Sequence, residues 1–421
     1  MDDRQERRGA EAAEELLTSR RRILEGDRTL WIIYGVLLVV SILVVYSSTA
    51  KMAYDITSRM TTTDSLRQQL MLVVALSMPV IFIAHKINYT FYRRWTPVLY
   101  YLFVVLTLAT YFVGSTTNGA ARWLPIGPFQ FQPSEGLKIF TILMLARRME
   151  KRQDSINNIK LLPTSFRLKD EKQKQILREN TRPILGPVIL SCVVILPAHT
   201  SSAVLIFLAS VIMLYIGRVA KSEIMKFTLL VVAAGTIGLT LLSMVGVGRG
   251  DTAGGRLSTW VKEWTTDGRK EYVYELSDTE RAMIAIRNGD IYGEGAGHST
   301  SRAVVIHPES DYAYAFFTSE YGLIAAVVLM LLYLWITFRA IEICRRCTMA
   351  FPTLMTAGLG LLITCQALLH ILVQVNIIPE TGQTLPLISR GGSSLLFTSM
   401  AMGMILSVSR TNSYNEENIK Q

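Results

Sequence analysis

The sequence predicts an all-α polytopic membrane protein, with about ten transmembrane helices and one large extracytoplasmic loop between the seventh and the eighth. Three observations carry that prediction. Half of the 421 residues are apolar and only 18% are charged, a balance that a water-soluble globule of this length rarely shows. Uncharged windows such as TLWIIYGVLLVVSILVVYSS and FTLLVVAAGTIGLTLLSMVG reach the ~20 helical residues that a ~30 Å hydrocarbon core requires. Lys and Arg, finally, gather on alternate loops, as they do when one side of the membrane is cytoplasmic.

Taken in order, the spans are read at 29–48, 70–85, 98–113, 134–146, 184–198, 201–217, 226–247, 321–343, 351–377 and 394–409. The first follows a head, residues 1–28, with charge of both signs and no small-residue cleavage site behind it, so it reads as a retained span preceded by a cytoplasmic extension. The membrane domain then covers 29–410 and a cytoplasmic tail 411–421. Placing the N-terminus inside puts HKINYTFYRR, IGRVAKSEIMK, ICRRC and the basic stretch from Arg147 to Arg182 on the cytoplasmic side, and both termini with them. The net charge of +10 then reflects sidedness and anionic lipid; nucleic acid is not an expected partner, because the basic residues carry no interleaved aromatics.

Four cysteines lie in spans or at a cytoplasmic edge, where thiols stay reduced and pack as small apolar groups. Cys344 and Cys347 form a CxxC without a second pair or a nearby histidine, and are read as structural. His199, His307 and His370 lie far apart and form no ligand pair, so no metal site is assigned.

Three irregular segments break the pattern, all on the side opposite the basic loops. Residues 248–311 form a long polar loop whose pieces RLSTWVKEW, EYVYEL and TERAMIAIRNGDIYGEGAGHS suggest short surface helices joined by tight turns, with GEGAG itself a turn. IPETGQTLPLISRGGSS, at 378–394, leaves backbone groups without helical partners and should line a cavity. NGAARWLPIGPFQFQPSEGLK, at 118–138, has the same character and ends with Ser134 and Glu135 at a helix start.

On RWLPIGPFQFQPSEGLK, SDYAYAFFTSEYG and PETGQTLPLISRGGSSL, in that order, the chain resembles the SEDS family (shape, elongation, division and sporulation). These are bacterial membrane proteins that polymerise the lipid-linked disaccharide-peptide precursor of the cell wall. The resemblance covers about residues 29–410 and is closer to the division branch than to the elongation branch. It implies a peptidoglycan glycosyltransferase that extends glycan strands from lipid II, the undecaprenyl-diphosphate-linked precursor, on the outer face of the cytoplasmic membrane, at the septum. It also implies a class B penicillin-binding protein, the cross-linking transpeptidase, as partner, together with other membrane proteins of the division machinery. The rival readings are a lipid II flippase, a non-catalytic division scaffold and an elongation polymerase.

The resemblance puts the family's essential acid at Asp311. A carboxylate at the edge of a span is costly unless it pairs or works, and here it could take the proton of an acceptor hydroxyl attacking an anomeric carbon. Charge developing on the departing lipid diphosphate calls for cations, for which Arg122, Lys138, Arg256 and Arg390 are candidates, with room for a divalent ion, Mg2+ or Mn2+, and no other cofactor. Glu135, Ser393 and Ser394 join them as candidate substrate contacts.

Each candidate has a plainer alternative. Asp311 could cap the helix beginning YAYAFF; Glu135 could cap its helix or pair with Lys138 at i, i+3; Trp260 and Trp264 beside Arg256 could form an interfacial belt; ISRGGSS could be only a flexible helix start. The sequence also departs from the family pattern. LPAHTSSA stands where QPD is usual, IHPESD where PEAHTD is, Arg390 where tyrosine is, and His370 where asparagine is common.

Overall fold

The computed structural model describes residues 24–49, 62–117, 120–126, 129–158, 160–162, 171–245, 255, 260–261 and 276–420. Arg256, Trp264 and residues 1–23 of the N-terminal extension lie outside the described residues.

Each of the ten expected spans is occupied by a helix: α1 Arg28–Ser48, α2 Thr63–Lys86, α3 Tyr89–Val113, α4 Pro133–Glu150, α5 Arg182–Ile195, α6 Thr200–Ile216, α7 Lys221–Val245, α9 Ala313–Arg345, α10 Ala350–Gln374 and α11 Gly392–Lys420. α8, Asp278–Asn288, belongs to the long loop and starts with a capping box between Ser277 and Glu280. Among the described residues six of these helices (α1, α2, α3, α9, α10 and α11) are long and apolar enough to cross a membrane. The chain is thus a multi-pass membrane protein; α5 and α6 are shorter than the six, and α7, at 25 residues, is as long as α3 and α10.

Burial sorts the helices into two sets. Nearly all of α4 is buried, as are most residues of α10 and α11, so these form the middle of the bundle. α1, α2, α3, α7 and α9 keep one apolar face outward, with Ile32, Ile83, Phe112, Leu229 and Phe338 among the exposed side chains, as expected where lipid replaces water. α11 and α2 touch closely because Gly403 has no side chain: a Cβ there would stand 2.9 Å from the carbonyl oxygen of Ile81.

Two features depart from the sequence expectation. The segment read as irregular at 118–138 forms, with the residues just before it, a small antiparallel meander, β1 Ser115–Thr117, β2 Ala120–Ile126 and β3 Phe129–Phe131, that leads into α4. β1 and β3 have three residues each, too few to show an alternating pattern, and a proline and a register slip interrupt β2, which is why the sequence reads as a loop.

The eighth span is also broken near its start. Gly322 sits at φ 80°, ψ 175°, so residues 313–321 form a separate buried helix before the long apolar run of α9. The turn 289–297 satisfies the opened backbone: Leu323 N donates to Asp290 O (2.9 Å), while Glu294 N and Gly295 N donate to Ser319 O and Glu320 O (3.0 Å each). The GEGAG glycines do form a turn, with Gly293, Gly295 and Gly297 all at positive φ.

The two ends of the bundle are chemically distinct. At one end Asp27, Glu25, Arg339, Glu342 and Arg410 form ion pairs around the start of α1. At the other, the three motif segments come together.

Candidate functional site

The second and third motifs are pinned to each other by backbone contacts. Arg390 N donates to Glu309 O (2.7 Å), Ser389 Oγ donates to Ser310 O (2.7 Å), and Tyr312 Oη donates to Glu380 Oε1 (3.0 Å). The first motif joins through the serines: Gln132 N donates to Ser393 Oγ (2.9 Å), and Ser393 Oγ donates to Gln130 O (3.3 Å). Ser394 Oγ meets Thr384 Oγ1 at 2.9 Å. Segments far apart in sequence therefore form one polar cluster at one end of the bundle; Ser393 bonds the first motif to the third, and Ser394 bonds within the third.

Asp311 lies in the turn just before α9, whose N-cap is Tyr312. It does not cap that helix, and among the described residues no donor hydrogen-bonds its carboxylate. The turn itself is held by packing of Tyr312 and Ala315 against Ala282 and Ala285 of α8 and against Val305. Burial pushes the Asp311 carboxyl above its ordinary pKa; the charges of His307 and Arg122 pull it back down, and those of Glu380 and Glu309 push it up. His307, at φ 50°, is exposed, so the cluster reaches the surface beside the acid.

The candidate cations separate. Arg122 is the extra residue of a β-bulge: Ser115 pairs with Trp123 and Thr116 with Ala121, so the register slips around it. Bulges re-aim side chains, and this one sets the Arg122 guanidinium beside Gly382 and within electrostatic reach of Asp311. Lys138 instead is buried in α4, 2.8 Å from Glu135 Oε1 and 2.9 Å from Gln366 Oε1. The plain i, i+3 pairing foreseen for Glu135 is what the structure contains, and the Lys138 ammonium is turned to its own helix and to α10. Arg390 donates to Gln68 on α2 and is not among the leading charges at Asp311. The structure thus brings Arg122 to the acid and leaves Lys138 and Arg390 occupied elsewhere.

Sequence reasoning missed a polar row on α10. Gln366, His370 and Gln374 recur every four residues on one face, and all are buried. The signal was present in QALLHILVQ, but a mostly apolar helix hides three polar residues well. The row meets the third motif: Gln366 Nε2 donates to Thr384 O (3.0 Å), and His370 Nδ1 faces Gln383 O (2.8 Å). Gln383 Nε2 in turn donates to Ser201 and Ser202 Oγ (2.9 Å each) and lies 3.2 Å from His199 Nδ1. His199 and His370 therefore meet through one glutamine. Among the described residues no three His, Cys, Asp or Glu side chains converge as a metal-binding group.

A bundle of apolar helices carrying a braced, desolvated carboxylate at one end, with an arginine beside it, defines a polytopic membrane protein built around an interfacial polar site. Its lineage is plain from comparison. The profile of the FtsW/RodA/SpoVE family, described as a cell cycle protein, matches residues 27–414, and the chain belongs to that family. It is 25% identical over 401 residues to a probable peptidoglycan glycosyltransferase FtsW of Aliivibrio salmonicida, covering 93% of this chain and 91% of that one. It is also 25% identical over 398 residues to the stage V sporulation protein E of Bacillus subtilis, covering 92% and 98%. Its fold matches a chain from a solved peptidoglycan synthase complex that coordinates polymerization and crosslinking, with a TM-score of 0.64, 20% identity and 92% and 98% coverage.

Proposed function

We propose that this protein is a peptidoglycan glycosyltransferase that polymerises lipid II at the outer face of the bacterial cytoplasmic membrane, in septal wall synthesis. The observation that carries the reading is Asp311: a carboxylate that neither caps a helix nor accepts a hydrogen bond among the described residues, raised in pKa by burial, where three motif segments meet. Ionised, it takes the proton of the acceptor sugar hydroxyl as that oxygen attacks the anomeric carbon of the donor. The bond to the lipid diphosphate breaks, and Arg122 stabilises the charge that develops there. A Mg2+ or Mn2+ ion bridging the diphosphate oxygens of the substrate would neutralise the same developing charge.

The positive-inside pattern supports placing both termini in the cytoplasm and the motif end outside. A flippase would need a polar path through the bundle, yet beyond Lys138 the buried run Ile139–Met144 of α4 is apolar except for Thr141. The partner we propose is a class B penicillin-binding protein, in line with the synthase complex that the fold matches.

The test is polymerisation of purified lipid II by the purified chain, with and without the transpeptidase and with and without chelator, read as glycan chains on a gel. Glycan strands made by the parent and absent with a folded Asp311→Asn protein support the reading. Normal product from that variant, or lipid II transfer across vesicles without polymer, ends it.

A further inference from the structure

The acid of the site sits at the start of a helix whose own first residues cannot hold it. Tyr312, the N-cap of α9, makes no side-chain cap, so the first amides of the helix need partners from elsewhere. One of them comes from α10. Gln374 Oε1 accepts the amide of Ala315, the third residue of α9, and Gln374 Nε2 donates to the carbonyl of Asp311 (3.3 Å). One side chain thus bridges the two ends of the first turn and acts as a cap supplied by another helix.

The amide could be turned the other way unless something reads its two ends, and His370 does so. Its Nδ1 faces the carbonyl of Gln383 at 2.8 Å, which requires the proton on that nitrogen. Nε2 is left as an acceptor, and it faces Gln374 Nε2, one turn further along α10. Gln374 must therefore present its NH2 to His370 and to Asp311 O, and its oxygen to Ala315 N. Gln374 and His370 are both buried, so water does not compete for these bonds.

We propose that Gln374 is a positioning residue for Asp311, fixed in orientation by His370, and that it sets both the place of the carboxylate and its shielding from water. The proposal rests on the reading of Asp311 as the base. The groups that face this carboxylate are His307 and Glu309 on its own turn, Arg122 on β2 and Glu380 on the third motif. Gln374 carries no charge, so replacing it alters Asp311 only through place and hydration.

The experiment uses the full chain with purified lipid II and measures kcat, KM and the acid limb of kcat. Gln374→Met keeps the shape and removes both bonds. It should lower kcat about 10- to 100-fold, the span expected for a misplaced proton acceptor, with KM within about twofold. Water then reaches the carboxylate, so the acid limb should move to lower pH. His370→Phe leaves Gln374 in place without its reader and should shift kcat and the limb the same way by less. It decides alone if Gln374→Met does not fold. Parental kcat and limb in the folded variants overturn the brace. If Asp311→Asn abolishes polymer while these variants behave as the parent, the brace falls and the base stands; if Asp311→Asn is active, the base reading itself has failed.

Discussion

Asp27 and Asp311 occupy comparable places at opposite ends of the bundle, each just ahead of a long apolar helix, and the protein uses them in opposite ways. Asp27 is the N-cap of α1: its Oδ1 accepts the amide of Leu30 at 2.9 Å, and its other oxygen pairs with Arg339 of α9. Arg339 reaches Glu342 as well, and Arg410 lies 3.6 Å from Glu25, so every one of these charges has a counter-charge in the same layer. Asp311 has been moved one residue out of the capping position, and the bonds that hold its turn go to backbone atoms, from Gln374 and Ser389. The contrast teaches that an acid at a helix start is structural where the helix consumes its oxygens, and available for chemistry where the surroundings hold the backbone and leave the oxygens alone.

The largest effect that tests this contrast is on activity. Asp311→Asn should reduce polymerisation by at least ~100-fold, the usual contribution of a positioned acid or base, with the fold intact. The same change should stabilise the protein at neutral pH. A carboxyl whose folded pKa is raised adds stability only below its unfolded pKa, and that gain is lost as pH rises through the folded pKa, whereas an amide has no charge to bury. A thermal scan at pH 5 and pH 8 in detergent checks the sign: the advantage of the variant over the parent should grow with pH. An advantage that shrinks would mean the acid is stabilised in place like Asp27.

Glu135 supplies a third acid at a helix start, and it belongs with Asp27. Its partner Lys138 is almost fully buried, so removing one charge strands the other. Lys138→Met should cost about 3–5 kcal/mol of stability, and adding Glu135→Leu should restore at least half of it. A Lys138→Met protein with parental stability but a raised KM for lipid II would instead return the lysine to the substrate.

The spans were legible because a hydrocarbon layer leaves a chain little choice: a run of ~20 apolar residues without charge has few other uses. The site was legible as three segments but not as a geometry. RWLPIGPFQFQPSEGLK contains an arginine and a lysine that are both candidates for a diphosphate; the i, i+3 pairing of Lys138 was one reading the sequence left open, and the bulge that turns Arg122 to the acid was not visible in it. The break at Gly322 was hidden for a similar reason. One glycine in an apolar run is ordinary, and what makes it a break is a turn some 30 residues earlier that supplies its hydrogen bonds. Gln374 was visible as a letter and silent as a role, since these partners lie on α9 and in the turn before it.

A moderate effect should come from the other end. Asp27→Ala removes a cap, worth about 1 kcal/mol, and a partly exposed ion pair that adds roughly another 0–1 kcal/mol. Polymerisation per folded molecule should be unchanged, as measured on detergent-purified protein normalised by the folded fraction. A loss of specific activity would show that the two ends communicate through α9, which runs from one to the other.

The smallest effect is the most specific. Of the charges that reach Asp311, His307 and Arg122 pull its pKa down against burial, and Arg122 stays charged at every working pH. Only the ionised carboxylate can accept the sugar proton, so the rate must fall as pH falls through the Asp311 pKa. Arg122→Gln removes a positive charge, favours the neutral acid, and should move that acid limb to higher pH. The shift has to be read from the midpoint of the kcat profile, not its height, because Arg122 is also the candidate for the diphosphate and its loss lowers the plateau and raises KM on its own account. The matched control is Arg390→Gln, whose guanidinium is bonded to Gln68 and is not a leading charge at the acid; its limb should stay nearer the parental pH. Equal shifts in the two variants would mean that position 311 responds to net charge at this end of the bundle, and the bulge at Arg122 would lose its electrostatic purpose.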